Sequence, residues 1–513
     1  MISRRAVLAA GAATLPRIAI GQPARPALTV AVPKIANTAT LDPLREQSSN
    51  AAERYIALTL ETLIARNQQA GLERVPGLAT TWRRVDGRTL DLDIRPGVVM
   101  HDGRTLTADD VAFSFGPRMF GPGVPADLPP VARRHWPALD RVEATGPLTV
   151  RLTNRTPDVT LEGRLAAGGS EVVSAAAFQA AGWAAHARQP IGTGPYRVAE
   201  FRPDTSLTLE AHDAYWGGRP PLRSVRVLEV PEAAARVDGL LSGQYGLATD
   251  IAPDQIGTVE RDRRFEVVGG PVPNHRIVAL DHHHPALRDP RVRLAMAHAV
   301  DGQAIVDGLW AGRTRVPPGL QWEFYGPMLV PGWTVPQYDP ALARRLLRDA
   351  GYRGDPIPYR IRNNYYAAEV PTAQVLAEMW RAVGLDVGIE VHENWSQVLD
   401  TARSRGLRDW SNSAVFDDPV SSLLNQHGPN GAQQTNGEWS NAELNALAPV
   451  LESGTDPAQR RAAFARMLAI CEREDPAYIV LHQTASFTAK RRDLPWRASP
   501  SFFLDLSARG FGA

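Results

Sequence analysis

The run Asp281-His282-His283-His284 puts three imidazoles beside one carboxylate, the residue types that hold a divalent transition metal. In extended backbone, successive side chains point to opposite faces, so at most two of the three imidazoles could serve one ion. Pro285 follows at once. The run is expected to form an exposed turn, with no metal and no cofactor. Hydrolytic chemistry has no local support, because G-x-S-x-G, H-E-x-x-H and P-loop patterns are missing. Cys471 is the only cysteine, which rules out an internal disulfide, and its place in the helical run AAFARMLAICERE reads as a small buried hydrophobe.

A different chemistry is concentrated between Glu393 and Asn436. Trp395 and Trp410 stand among Arg403, Arg405, Arg408, Asn412 and Asp417, with many serines and glycines between them. Aromatic faces, guanidinium groups and amides in a loop-rich stretch are the composition of a ligand cleft. Tyr365 and Tyr366 follow the strand expected at Tyr359 to Arg362, at the carboxyl end, where open α/β sheets bind ligands.

These residues sit in 513 positions, 44% hydrophobic and 22% charged, enough for two to four folding units. The formal net charge is +1, with 56 Lys+Arg against 55 Asp+Glu. Such balance offers no field for a polyanion, so no nucleic-acid partner is expected. Residues 1–27 open on Ser3-Arg4-Arg5 and continue through a short Ala- and Gly-rich apolar stretch, which reads as an export signal and resembles the twin-arginine kind. No later stretch is long and apolar enough for a membrane span, so a periplasmic chain is expected.

The elements that must position the cleft follow from periodicity. Leu28 to Val32 reads as a first strand and Asn50 to Ala65 as a helix with one buried face. Trp82 to Ile94 gives two strands around Asp86-Gly87, and the proline-rich stretch from Gly121 to Pro137 a surface loop. Further strands are expected at Ser206 to Leu209 and Ser224 to Val230, and a long helical region from Asp289 to Trp310. Asp339-Pro340 and Gly351 bracket a helix as cap, first turn and stop. A strand, a helix over Pro371 to Val383 closed by Gly384, and a strand over Val387 to Val391 predict parallel pairing. A last helix runs from Asp456-Pro457 to about Glu474, followed by two strands, Ala477 to Leu481 and Ser486 to Ala489.

Several ordered blocks together resemble family 5 extracellular solute-binding proteins, the peptide and nickel binding components of ABC importers. They are Pro76-Gly77-Leu78-Ala79 with Trp82, Ile94-Arg95-Pro96-Gly97-Val98, His101-Asp102-Gly103 and Leu106 to Val111. Ile191-Gly192-Thr193-Gly194-Pro195-Tyr196 with Ala214-Tyr215-Trp216-Gly217-Gly218, then Asp289 to Ala295 with Ala299-Val300-Asp301, and Ala350-Gly351-Tyr352 complete the set. The physical reading of these blocks is scaffold: a tight turn at Asp102-Gly103 and a helix start capped by Thr107.

The resemblance implies an α/β, two-lobed periplasmic binding protein fold of class II type with an extra subdomain in lobe one. It implies lobe one at 28–270, including a subdomain at about 65–188, lobe two at 271–480 and a return to lobe one at 481–513. Trp395 and Trp410 stand where the family presents aromatic walls, and Arg403, Arg405 and Arg408 where some members hold a ligand carboxylate. Val415 takes the place of an aspartate that pairs with a peptide's free ammonium, and Asp417 is the nearby acid that could substitute. On the opposite wall, Thr38 in the loop after the first strand and Asn274 with His275 beside the hinge are expected to meet ligand. The partners implied are a small-molecule or peptide-like ligand and ABC permease subunits, with the membrane reached only through the permease and the chain itself a monomer. An exported enzyme or a chaperone-like protein on the same scaffold is the alternative.

Overall fold

The structure is a computed structural model and describes residues 25–512 apart from 47, 48 and 364. The export signal with Arg4-Arg5 lies outside the described residues. Ten strands form one mixed sheet. Its order is Val387–His392, Ile357–Arg362, Leu407–Ser413, Phe265–Leu280, Tyr478–Arg491, Leu247–Ala248, Ala27–Val32, Ser224–Glu229, Ser206–Ala211 and Tyr196–Arg202. The two strands in the middle are the long ones, 16 and 14 residues, and they pair antiparallel almost from end to end. Three strands flank them on one side and five on the other, so the pair carries the chain between two halves of the sheet. Its register shifts between Pro271 and His275 and again between Arg276 and Ile277. At Gly269, with φ 110°, a Cβ would lie 2.1 Å from the Ser486 carbonyl oxygen, so only glycine lets the two backbones cross there.

Ile357–Arg362 and Val387–His392 pair parallel, joined by the helix Glu369–Ala382, as the alternation predicts. Pro340–Ala350 is capped by Asp339 and stopped by Gly351 at φ 68°. Apart from the large sheet, Ala79–Arg84, Thr89–Ile94, Thr149–Asn154 and Leu139–Gly146 form a four-stranded antiparallel sheet. The helix Ala108–Phe115 accompanies it, opened by the Thr107 and Asp110 capping box, and the sheet and helix share a core with Leu92, Phe115 and Trp136. His101, in the turn before that helix, is buried; Nε2 lies 3.0 Å from the Gly194 carbonyl oxygen, and burial pushes its imidazole down to about 4.

Several elements differ from the sequence reading. The helix expected over Asn50 to Ala65 is two single turns, Asn50–Glu53 and Ile56–Thr59, before the strand Ile64–Arg66. Tertiary partners consume its backbone: the Thr59, Glu61, Thr62 and Leu63 carbonyls accept from Gly194, Val172, Leu78 and Ala79. At Gly194 a Cβ would sit 2.5 Å from the Leu58 carbonyl oxygen, which gives the glycine its reason. The proline-rich stretch contains the helix Leu128–His135, because Pro129 and Pro130 fall in its first turn, where no intrahelical N–H is needed. Asp289 to Trp310 splits into Pro290–His298 and Gly302–Trp310, each with its own aspartate cap. The two C-terminal strands are one strand, Tyr478–Arg491, and the last helix, Pro457–Ala469, widens into a π turn over Ile470–Glu474 in which Cys471 is buried.

Candidate functional site

Between the two halves of the sheet lies a cavity of about 920 Å³. One wall is aromatic. Tyr365 and Tyr366 come from the loop after Ile357–Arg362, Trp395 from the start of the short helix Trp395–Val398, and Trp410 from Leu407–Ser413. The rings meet edge to face, Tyr365 with Tyr366 at 4.7 Å, Tyr365 with Trp395 at 4.9 Å, and Trp395 with Trp410 at 4.8 Å. That arrangement matches positive ring edges to negative faces, so each ring holds its neighbour's orientation.

Charged groups behind the wall hold it in place. Glu369 is 2% exposed and accepts the backbone N–H groups of Arg362, Tyr365 and Tyr366 at 3.0, 2.9 and 3.1 Å. Burial, reinforced by Asp409 alongside, pushes its carboxyl up to about 8. Arg276 pairs with Asp409 and lies 3.6 Å over the Tyr366 ring. Arg408 lies 4.3 Å over the Trp410 ring and is held by both oxygens of Glu438 at 2.9 and 2.7 Å. Trp410 Nε1 donates to Gln426 Oε1 at 3.1 Å.

The facing wall is polar. Glu46 accepts from the backbone N–H groups of Asn37 and Thr38 at 3.0 and 2.7 Å and from the Thr38 hydroxyl, which shapes the loop after the first strand. Asn37 Nδ2 donates to the Tyr365 hydroxyl at 3.2 Å, and Ser413 Oγ to Asn50 Oδ1 at 3.5 Å, so the two walls touch across the cavity. A third side combines Glu61 and Arg66 with the C-terminal segment, including Phe502, Phe503, Asp505 and Arg509.

Of the residues expected at a site, Thr38, Tyr365, Tyr366, Trp395, Trp410 and Val415 line this cavity. The others are elsewhere. Asn274 is 1% exposed and stands behind the wall, its amide donating to Ser411 and Ser413, whose hydroxyls line the cavity, at 3.1 and 2.7 Å. His275 is buried against the Trp322 ring at 4.0 Å. Arg403 points outward, its side chain 75% exposed, beside Asp400. Arg405 binds Asp281 and the Gly437 carbonyl, and Arg408 is spent on Glu438. Asn412 is buried, donating to the Ser422 carbonyl at 3.3 Å. Asp417 pairs with Arg74 at 3.1 Å and does not line the cavity. Arg405, Arg408 and Asp417 share a cause, that a buried or half-buried charge takes a protein partner where one is in reach. The histidine run is a turn, as expected: Asp281 accepts from the His283 N–H, and His284 Nδ1 from the Ala286 N–H.

Glu53, Glu61, Arg66 and Arg509 were not singled out from the sequence, yet all four line the cavity. For Glu61 a signal existed. Its carboxylate accepts from Thr193, Tyr215 and Trp216, each at 2.8 Å, so two of the sequence blocks converge on it.

The fold and this cleft define a two-lobed binding protein of mixed α/β type. Residues 73–434 match the family described as bacterial extracellular solute-binding proteins, family 5 Middle, and the chain belongs to that family. It is 30% identical over 299 residues to a probable di/tripeptide-binding protein 5 of Pseudomonas aeruginosa, a match that spans 53% of this chain and 55% of the relative, about half of each. It is 24% identical over 446 residues to the dipeptide-binding protein of Escherichia coli, covering 80% of this chain and 81% of that one. The structure of a dipeptide binding protein from Pseudoalteromonas sp. SM9913 in complex with Met-Leu superposes with a TM-score of 0.81 at 20% identity, over 91% of this chain and 96% of the other. Among the described residues, no helix is long and apolar enough to cross a membrane.

Proposed function

We propose that this chain is the periplasmic solute-binding component of an ABC importer, capturing a peptide-like or other small polar ligand between its lobes and delivering it to a membrane permease. The observation that carries the reading is the aromatic wall of Tyr365, Tyr366, Trp395 and Trp410 facing a polar wall across a cavity of about 920 Å³. That volume lies in the range of small-molecule sites, which bury most of a ligand's surface. Closure is supported by the two long strands that join the halves of the sheet, placed as a hinge of the kind such binders use. The lobes in this reading are 28–270 with a subdomain at about 65–188, then 271–480, then 481–513. The names of the relatives support a peptide-like ligand, and the chain works as a monomer, exported through Arg4-Arg5.

Titration of di- and tripeptides into the purified chain, with mass spectrometry of the mixture afterwards, tests the reading. Saturable binding with the peptide recovered intact is expected; cleavage of the peptide would favour an exported enzyme. Replacing Arg4-Arg5 with Lys-Lys should block export, and undiminished periplasmic protein would remove the twin-arginine route.

A further inference from the structure

The charged groups on the cavity wall are unevenly committed. Among the acids, Glu46 accepts from two backbone N–H groups and the Thr38 hydroxyl, and Glu61 from three side-chain donors. Asp505 accepts from the Ser507 N–H at 3.1 Å, the Ser507 hydroxyl at 2.5 Å and Gln69 Nε2 at 3.3 Å. Glu171 accepts from the Gly169 N–H at 2.8 Å, and burial pushes its carboxyl up to about 7, so it is only partly charged at neutral pH. Glu53 faces Arg66 at 3.8 Å, and burial raises its carboxyl as well.

The cations show the reverse. Arg45 is spent on Asp127, with two contacts at 3.1 Å. Arg134, at the end of Leu128–His135, lines the cavity with no hydrogen bond or ion pair to any described residue. Arg509 likewise has none among the described residues; its guanidinium stands 5.7 Å from the Trp216 ring. Arg66 has only the long contact to Glu53. An entering ammonium would find Glu46, Glu61 and Asp505 occupied by donors and Glu171 partly protonated, leaving Glu53, which shares its one long contact with Arg66, whereas an entering anion would find the Arg134 and Arg509 forks open, the geometry that binds carboxylate in bidentate fashion.

We infer that the ligand is an acid without a free ammonium group, its carboxylate or similar anion received by Arg66, Arg134 and Arg509 while its remaining part lies against the aromatic wall. This rests on the cavity being the solute site argued above, and it narrows the ligand class to blocked or otherwise non-basic organic acids. Arg66 and Arg509 belong to the third side of the cavity and not to the aromatic wall, so the anion end and the ring-stacked end of the ligand lie against different sides.

Four pools built on one set of dipeptides test this by calorimetric titration: unblocked, N-acetylated acids, N-acetylated amides, and amides with a free amine. The acetylated acids are expected to bind at least tenfold more tightly than the neutral and cationic pools and more tightly than the unblocked pool. Arg509→Gln and Arg66→Gln should each weaken that binding about tenfold with unchanged denaturant midpoints, and Glu53→Gln should not weaken it. Equal or tighter binding of the neutral, cationic or unblocked pool, or unaltered affinity in both arginine variants, overturns the inference. Silence of all four pools contradicts the peptide-like reading instead, and the decision then passes to the molecule retained by protein purified from its own cells. A retained molecule that is methylated by a carboxyl reagent and untouched by an amine reagent upholds the acid; one labelled on an amine, or no retained molecule at all, overturns it.

Discussion

The side-chain amide of Asn37 donates a hydrogen bond of 3.2 Å to the hydroxyl of Tyr365, a residue 328 positions away. Asn37 follows the first strand of one half of the sheet, and Tyr365 follows a strand of the other. Ser413 with Asn50 spans the same gap, and Arg74 with Asp417 joins distant parts of the chain outside the cavity lining. The two contacts across the cavity hold its walls together, so their loss is expected to act on ligand retention more than on the stability of either half.

Tyr365→Phe keeps the ring and deletes only the cross-cleft bond. A neutral hydrogen bond contributes about 1 kcal/mol, so ligand release measured by stopped flow should be about fivefold faster, with an unchanged denaturant midpoint. An unaltered release rate would show that the bond does not contribute to closure.

Trp395→Ala and Trp410→Ala separate two roles within one wall. Trp395 stands at the start of a single helical turn, and its truncation should cost about 2 kcal/mol or more in affinity, over tenfold, with little change in midpoint. Trp410 also donates to Gln426 and covers Arg408, so its truncation should lower both affinity and midpoint. A collapsed midpoint with normal affinity in the Trp395 variant would make that ring part of the core.

The arginines divide by partner. Arg408→Met leaves Glu438, 1% exposed, with Arg360 at 3.5 Å as the nearest remaining cation, and breaking such a pair costs about 3–5 kcal/mol of stability. Arg403→Ala, at an exposed side chain, should stay within about 0.5 kcal/mol. Chemical denaturation of both variants checks the contrast; equal midpoints would contradict it.

Asp417→Asn removes an ion pair with Arg74 in which both side chains are more than a third exposed, a class worth about 0–1 kcal/mol. Because Asp417 does not line the cavity, the variant should change affinity for cationic and neutral ligands by the same small factor. A loss confined to cationic ligands would return Asp417 to the site.

Glu171→Gln carries a pH signature. The Glu171 carboxyl is raised by burial to about 7, against an unfolded value near 4.5. In the wild type the stability contributed by its protonated form is complete below about pH 4.5 and is lost as the pH rises through about 7. The glutamine has no such loss, so the variant should gain on the wild type by on the order of 3 kcal/mol between pH 4.5 and 8, at 1.36 kcal/mol per pKa unit. Parallel urea midpoints across that range would contradict the assignment.

What the sequence made legible is what local spacing decides. A short β-branched run from Leu28 to Val32 marked the strand Ala27–Val32, the strand-helix-strand order marked the parallel pair at Ile357–Arg362 and Val387–His392, and Asp339, Pro340 and Gly351 marked a helix at both ends. Loop composition and the family resemblance brought Trp395 and Trp410 forward, and the carboxyl end of the strand expected at Tyr359 to Arg362 brought Tyr365 and Tyr366; the fold gathers them from three separate segments onto one wall. The arginines between them were misplaced for a long-range reason: Arg405 and Arg408 find Asp281 and Glu438, partners 124 and 30 positions away. The helix expected after Asn50 failed likewise, because Gly194 and Ala79 take the carbonyls that would have continued it. Arg134 and Arg509 have no sequence pattern at all; the helix Leu128–His135 brings the first to the cavity and the C-terminal segment the second.

Small-angle scattering of the chain with and without a saturating ligand tests the central claim, that a solute is enclosed between two lobes joined by the strands Phe265–Leu280 and Tyr478–Arg491. The account predicts a smaller radius of gyration with ligand, reversed in part by Tyr365→Phe at subsaturating concentration. An unchanged radius under saturation would contradict closure and leave a rigid or surface site in its place.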